Sequence, residues 1–389
     1  MPYFMQAGDI PRKRFSQFRD GDGRLFSPEV FGEEGFSSDM SLLYHQSSPS
    51  VILDVEEVAA APRELAANHP LRPRLFDTTC MKVGGDVALG RQLLVGNDDV
   101  LVSFVAADTT SPLYRNAAAD ELVYVHEGAA VLETLLGTFE IRSGDYVVLP
   151  KGTTARWVVE RAAPLRGLVF ETVGHIRFPK RYLSEYGQLL QVAPFCELDI
   201  RRPQGPFLAS GEAELMVRTR HGVTRYTFAN HPFDVVGWFG CNYPWVLNIE
   251  DFSPTSASFH RPPPVHQVFE ASNLVFCNFV PRVLDYDPRA LPIPSFHSNA
   301  DSDELIFYAE GNFFSRGDSG IGRASMTLHP AGHVHGPHPG SLERAADRVG
   351  QRTEEYAVML DTFRPLGLAA GALDVEQPNY IQSWNRNPR

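Results

Sequence analysis

The sequence predicts a mainly β fold of tandem jelly-roll barrels with few short helices. Three observations carry that expectation. The 389 residues include 30 prolines, 31 glycines and 26 phenylalanines, a mixture that favours short strands and tight turns over long helices. Two regions, 93–171 and 258 onward, alternate apolar and polar residues as half-buried strands do. A set of spaced residues also occurs twice: Glu121, Gly128, Pro150 and Gly152, then Glu304, Gly311, Pro330 and Gly332. A repeat at about 180 residues implies duplication of one barrel.

Composition narrows the function. A hydrophobic content of 43% and a charged content of 21% describe an ordinary globular chain. The net charge of -12 argues against nucleic acid or an anionic membrane as partner, and obliges any anionic substrate to find a local cation. The start, MPYFMQAGDIPRKRF, lacks the apolar run of a signal peptide, so a cytoplasmic location is expected. Cys80, Cys196, Cys241 and Cys277 form no C-x-x-C and are expected as reduced core or pocket residues.

In chain order, residues 1–90 are expected to form an N-terminal arm with some strands, its Asp20-Gly21-Asp22-Gly23 a hairpin turn. Residues 91–175 read as a first barrel. Its motif spacing is intact, but the positions where histidines would stand are read as Arg115, Ala117 and Ala155, so no metal is expected there. Residues 176–257 form an aromatic-rich connection, including HPFDVVGWFGCNYPWVLN (231–248), either a packing layer or a subunit contact. Residues 258–389 carry the second barrel.

That second copy keeps its ligands. His297, Asn299, Glu304 and Gly311, then Pro330, Gly332 and His335, are the two halves of a cupin motif with one ligand position changed. His297 and Asn299 share a strand face, Glu304 follows a turn in NADSDE, and the Pro330–Gly332 corner returns His335 over the same cavity. Two imidazoles and a carboxylate leave open positions on an octahedral ion, the facial arrangement of non-haem Fe(II) oxygenases. Asp303 is the competing carboxylate. His329, His333 and His338 surround the ligand turn, and at least one is available to substrate. Arg316-Gly317-Asp318 reads as a hairpin turn, and Arg282 and Arg289 as surface charges.

HPFDVVGW (231–238), H-x-N…E with its glycine (297–311) and LHPAGHVHGP (328–337) make the chain resemble the homogentisate 1,2-dioxygenases. The resemblance implies an Fe(II) enzyme of tandem cupin-like barrels, assembled as a homo-oligomer, a trimer or a hexamer. It would open a small aromatic acid, homogentisate, with O2 to give maleylacetoacetate in tyrosine and phenylalanine breakdown. Carried over, the iron ligands fall on His297, Glu304 and His335. The catalytic histidine that takes the phenol proton falls on His260, and the substrate-facing positions on His329, Asn299 and Phe313. The chain departs from the family where Ser295, Phe296 and Phe313 stand in place of hydroxyl-bearing aromatics. Two alternatives follow: a dioxygenase for a related ring acid such as gentisate, or a metal-binding cupin without redox chemistry.

Overall fold

A computed structural model describes residues 3–58, 63–259, 261, 263–316 and 319–385. The chain divides into two compact units that exchange segments: 1–62, 83–91 and 105–248 form one, and 63–82, 92–104 and 249–389 the other. The fold is mainly β, and among the described residues α-helix is confined to Ser341–Ala346 and Ala370–Leu373. No helix among them is long and apolar enough to cross a membrane. None of the four cysteines forms a disulfide; Cys80 and Cys196 are exposed rather than in a core, and Cys277 is buried.

In the first unit, one sheet runs Gly137–Arg142, Ala129–Thr134, Thr154–Val158, Tyr114–Asn116, Ala213–Arg218, Val223–Phe228 and Ile52–Val58. A second contains Trp245–Asn248, Asp145–Leu149, Asp120–Glu127 and Leu165–Thr172 as consecutive neighbours. Strand period two sends alternate side chains of each sheet to one side. Val123, Val125, Val147 and Val169 of the second sheet therefore meet Leu132, Phe139, Ala155 and Trp157 of the first in one buried cluster. Two mainly antiparallel layers sharing a core make the jelly-roll sandwich, with open sheet edges rather than a closed barrel; Tyr114–Asn116 and Ala213–Arg218 pair parallel.

The aromatic-rich stretch packs inside this unit. Val235–Gly240 pairs with Met5–Gly8 and Met40–His45, and Trp238 is fully buried with its indole N–H donating to the Leu136 carbonyl at 2.8 Å. Asp234 accepts from His45 Nδ1 at 2.5 Å and from the Ser47 N–H at 2.9 Å, and Glu29 holds His45 Nε2 at 2.7 Å.

The second unit is built on a six-stranded sheet: Gln267–Ala271, Leu274–Phe279, Tyr356–Thr362, Asp303–Glu310, Ser325–His329 and Arg74–Asp77. Its strand register repeats that of the first unit. Glu121 stands between Leu149 and Glu171, and Glu304 between His329 and Asp361. Asp120 accepts backbone N–H groups of Lys151 and Ile176, and Asp303 those of Ala331 and Leu366. Gly311 has φ +98°, and a Cβ there would lie 2.0 Å from the Glu354 carbonyl, so only glycine fits.

The register also corrects the sequence alignment of the twin by one residue. Tyr114 pairs with Ala155 as His297 pairs with His335. Tyr114 and Asn116, rather than Arg115 and Ala117, therefore stand where His297 and Asn299 stand. In place of a metal, the Arg91 guanidinium reaches Glu121 at 2.7 Å, with Glu171 at 3.4 Å. The Tyr114 phenol and the Asn116 amide also donate to Glu121, both at 2.8 Å. A buried carboxylate needs a countercharge, and an internal arginine provides it here.

Candidate metal centre and its cavity

On Asp303–Glu310, Glu304, Ile306 and Tyr308 share one face by the period of two, and all three line a cavity of about 480 Å³. A cavity of that size accommodates a small organic ligand. Asp303 is not available as the competing ligand. Both of its oxygens are taken by backbone donors, at 2.9 and 2.8 Å.

Two imidazoles converge on Glu304. His297 Nδ1 lies 2.9 Å from the Ser295 carbonyl and His335 Nδ1 3.1 Å from the His333 carbonyl. A carbonyl can only accept, so both Nδ1 atoms carry the proton and both Nε2 atoms present lone pairs. Those Nε2 atoms lie 3.7 and 3.4 Å from the Glu304 carboxylate, and one ligand atom from each residue lies within 4.8 Å of the others. His335 Nε2 is buried and makes no hydrogen bond. An orphaned buried lone pair facing a carboxylate and a second lone pair is costly on its own and suited to a cation. The donor set of two imidazole nitrogens and one carboxylate oxygen matches a divalent transition metal.

Glu304 is fixed from behind by His329, whose Nδ1 lies 2.8 Å from Oε1 and whose Nε2 lies 3.0 Å from the Tyr380 hydroxyl. Burial pushes the His329 pKa down to about 3, so the ring is neutral: Nδ1–H donates to Glu304 and the Tyr380 O–H donates to Nε2. Burial would raise the Glu304 pKa, but the imidazoles around it, His329 through its hydrogen bond above all, outweigh that and hold the group below the usual carboxylate range, ionised. His329 thus departs from the expected substrate contact: it is wholly buried, both its nitrogens are occupied, and it is absent from the cavity wall. His333 and His338 are absent from that wall too. His338 stacks on Trp384 with ring centroids 4.2 Å apart. Tyr380 and Trp384 belong to the 3₁₀ helix Tyr380–Asn385, some forty residues past the motif, and no spacing rule points to them.

The other expected positions divide. Asn299 lines the cavity and its amide donates to Asp361 at 3.2 Å. Phe313 lines it as well, its ring edge-on to Tyr308 at 4.8 Å. Tyr308 therefore presents a phenol beside the position where a hydroxyl was missed. His260 lies outside the described residues. His266, which sequence reasoning passed over, lines the cavity and packs on Phe279 at 4.8 Å. Arg282, expected on the surface, is buried, lines the cavity and pairs with Glu355 at 3.4 Å, whereas Arg289 is exposed and paired with Asp287. Arg316, expected in a hairpin turn whose Gly317 and Asp318 lie outside the described residues, is 8% exposed and also lines the cavity.

A second cluster, Glu33, Asp120 and His175, brings three ligand-type side chains together in the first unit. Its groups are already engaged: Arg177 pairs with Glu33, and backbone N–H groups hold both oxygens of Asp120.

The family profile described as the homogentisate 1,2-dioxygenase N-terminal region matches residues 97–249. A Saccharolobus solfataricus protein provisionally named a dioxygenase is 35% identical over 387 residues, which cover 99% of each chain. A homogentisate 1,2-dioxygenase of Sinorhizobium fredii is 26% identical over 297 residues, 72% of this chain and 63% of its own. The match thus spans less than two thirds of that relative. Among solved structures, a cupin 2 conserved barrel domain protein from Leptotrichia buccalis aligns with 79% of this chain and 100% of its own, at a TM-score of 0.34 and 10% identity. On the whole-length likeness and the matching family profile, this chain belongs to the homogentisate 1,2-dioxygenase family.

Proposed function

We propose that the protein is an Fe(II)-dependent, extradiol-type ring-cleaving dioxygenase, with homogentisate as substrate and maleylacetoacetate as product. The observation that carries this is the pair of Nε2 lone pairs, one of them buried without a partner, facing the Glu304 carboxylate at the edge of a cavity. Iron held by His297, Glu304 and His335 would supply the open positions and the redox couple that let a ring phenol react with O2. The chain's own groups do the rest. The Ser295 and His333 carbonyls keep both imidazoles in the ligating tautomer, and His329 with Tyr380 fixes the carboxylate. Phe279, Phe313 and Met359 give the ring apolar side chains to lie against. A neutral histidine suits removal of the phenol proton, because its ordinary pKa lies near neutrality. His260 is assigned that role, with His266 at the cavity wall as the second candidate. The reading goes with a cytoplasmic enzyme and a homo-oligomer.

The test is anaerobic loading with Fe(II), then oxygen uptake with homogentisate against gentisate. One O2 consumed per homogentisate, with the absorbance of the ring-opened product, is the expected result. Uptake with gentisate alone would move the substrate to the other ring acid, and no uptake with either would leave a metal-binding cupin without redox chemistry.

A further inference from the structure

We infer that Arg316, with the Tyr308 phenol beside it, forms an anion-binding end of the cavity that holds the carboxylate of the substrate. The inference rests on the proposed ring-cleaving function for the identity of the substrate, but not for the presence of the anion site.

The cavity has two cationic side chains in its wall, and they are not equivalent. Arg282 is already matched by Glu355 at 3.4 Å and lies over the Phe279 ring at 6.0 Å. Arg316 is 8% exposed, and its Nη1 donates to the Gly336 carbonyl at 2.9 Å. Among the described residues no carboxylate lies within ion-pair distance of it. A guanidinium has five N–H donors in a fixed fork, so the Gly336 carbonyl and the Tyr308 phenol oxygen beside it leave others available. An enclosed charge without a countercharge is costly, and a chain of net charge -12 does not attract anions by its overall field. A local cation held in a cavity wall is what an anionic ligand requires.

The position is also suitable. Tyr308 lies on the same inward face of its strand as Glu304, four residues further on, with Ile306 between them. At about 3.3 Å per residue that places the two ends about 13 Å apart along the backbone, with both side chains reaching into the space between. Phe313 and Met359 flank that space. A ligand with a phenol at one end and a carboxylate at the other, joined by one aromatic ring, fits this order of groups. Arginine is the side chain whose fork matches a carboxylate with two parallel hydrogen bonds. The tyrosine replaced by Phe313 is thus answered by Tyr308 and Arg316 from neighbouring positions.

The probes are phenylacetate and phenylacetamide, an acid and its neutral counterpart, titrated calorimetrically into the Fe(II)-loaded protein without oxygen. Wild type should bind the acid more tightly than the amide. Arg316→Gln should weaken the acid roughly 10- to 100-fold and leave the amide unchanged, as expected for loss of a charged hydrogen-bond pair. Equal binding of acid and amide by wild type, or equal losses for both in the variant, would overturn the assignment. If the Gln variant does not fold, Arg316→Lys decides: a reduced preference for the acid supports the fork, and an unchanged one overturns it. Acid preference through Arg316 in a protein that opens no ring would keep the anion site and remove the dioxygenase reading.

Discussion

Replacing Arg91 with methionine tests how the first unit stays folded without a metal. The Arg91 side chain is 3% exposed, with Glu121 1% exposed at 2.7 Å and Glu171 5% exposed at 3.4 Å. Glu171 also has Arg218 at 3.0 Å, but Glu121 would keep only the neutral Tyr114 and Asn116 donors. For charge centres near 4 Å in an effective dielectric of about 20, the lost attraction is about 4 kcal/mol. Breaking buried pairs from one side costs about 3–5 kcal/mol, the same scale. In a unit of this size 1 kcal/mol moves the melting midpoint by about 2–4 °C, so a fall of about 10 °C is expected by scanning calorimetry at pH 7. The double variant Arg91→Met, Glu121→Gln should recover part of that loss, because the stranded carboxylate is then gone. A single variant within about 1 kcal/mol of wild type, or a double variant worse than the single one, would refute the idea that Arg91 is the resident cation.

Two further outcomes follow from the geometry. His260→Ala should keep full iron content and lose most turnover; if turnover survives there and is lost in His266→Ala, the proton-accepting role belongs to His266. For His45, burial alone would lower the pKa, but the bonds to Asp234 and Glu29 raise it to about 9. A raised pKa stabilises the fold below the unfolded value near 6.5, and that contribution is lost as pH rises through about 9. At roughly 1.4 kcal/mol for each of the about 2.5 pH units between the unfolded and folded values, it is worth about 3–4 kcal/mol at most. Melting midpoints of wild type should therefore fall between pH 6.5 and 9 relative to those of His45→Gln, and parallel curves would exclude the linkage.

The grouping of His297, Glu304 and His335 and the mainly β class were legible because both rest on local spacing. Period-two alternation marks strands wherever they lie, and the H…E…G and P-x-G-x-x-H intervals survive around fixed turns. Gly311 shows why: its left-handed backbone and the 2.0 Å approach to the Glu354 carbonyl allow no side chain, so the interval is held rigidly. The residues that complete the two sites were hidden because they come from far along the chain. Arg91 lies thirty residues ahead of Glu121, and Tyr380 fifty-one beyond His329. The place of Arg316 in the cavity wall was hidden because an isolated R-G-D reads only as a hairpin turn, and nothing in its sequence neighbours points to the cavity. The seven-residue interval from His297 to Glu304, laid back from Glu121, falls on Tyr114 rather than Arg115, the same residue that pairs with Ala155 across the sheet.

The measurement closest to the central claim is an anaerobic Fe(II) titration of the wild-type chain and of His335→Ala, with bound iron counted per folded protein. The account predicts one tightly bound iron per chain in wild type and none in the variant. Iron bound by His335→Ala as in wild type, or a second equal site per chain, would contradict it.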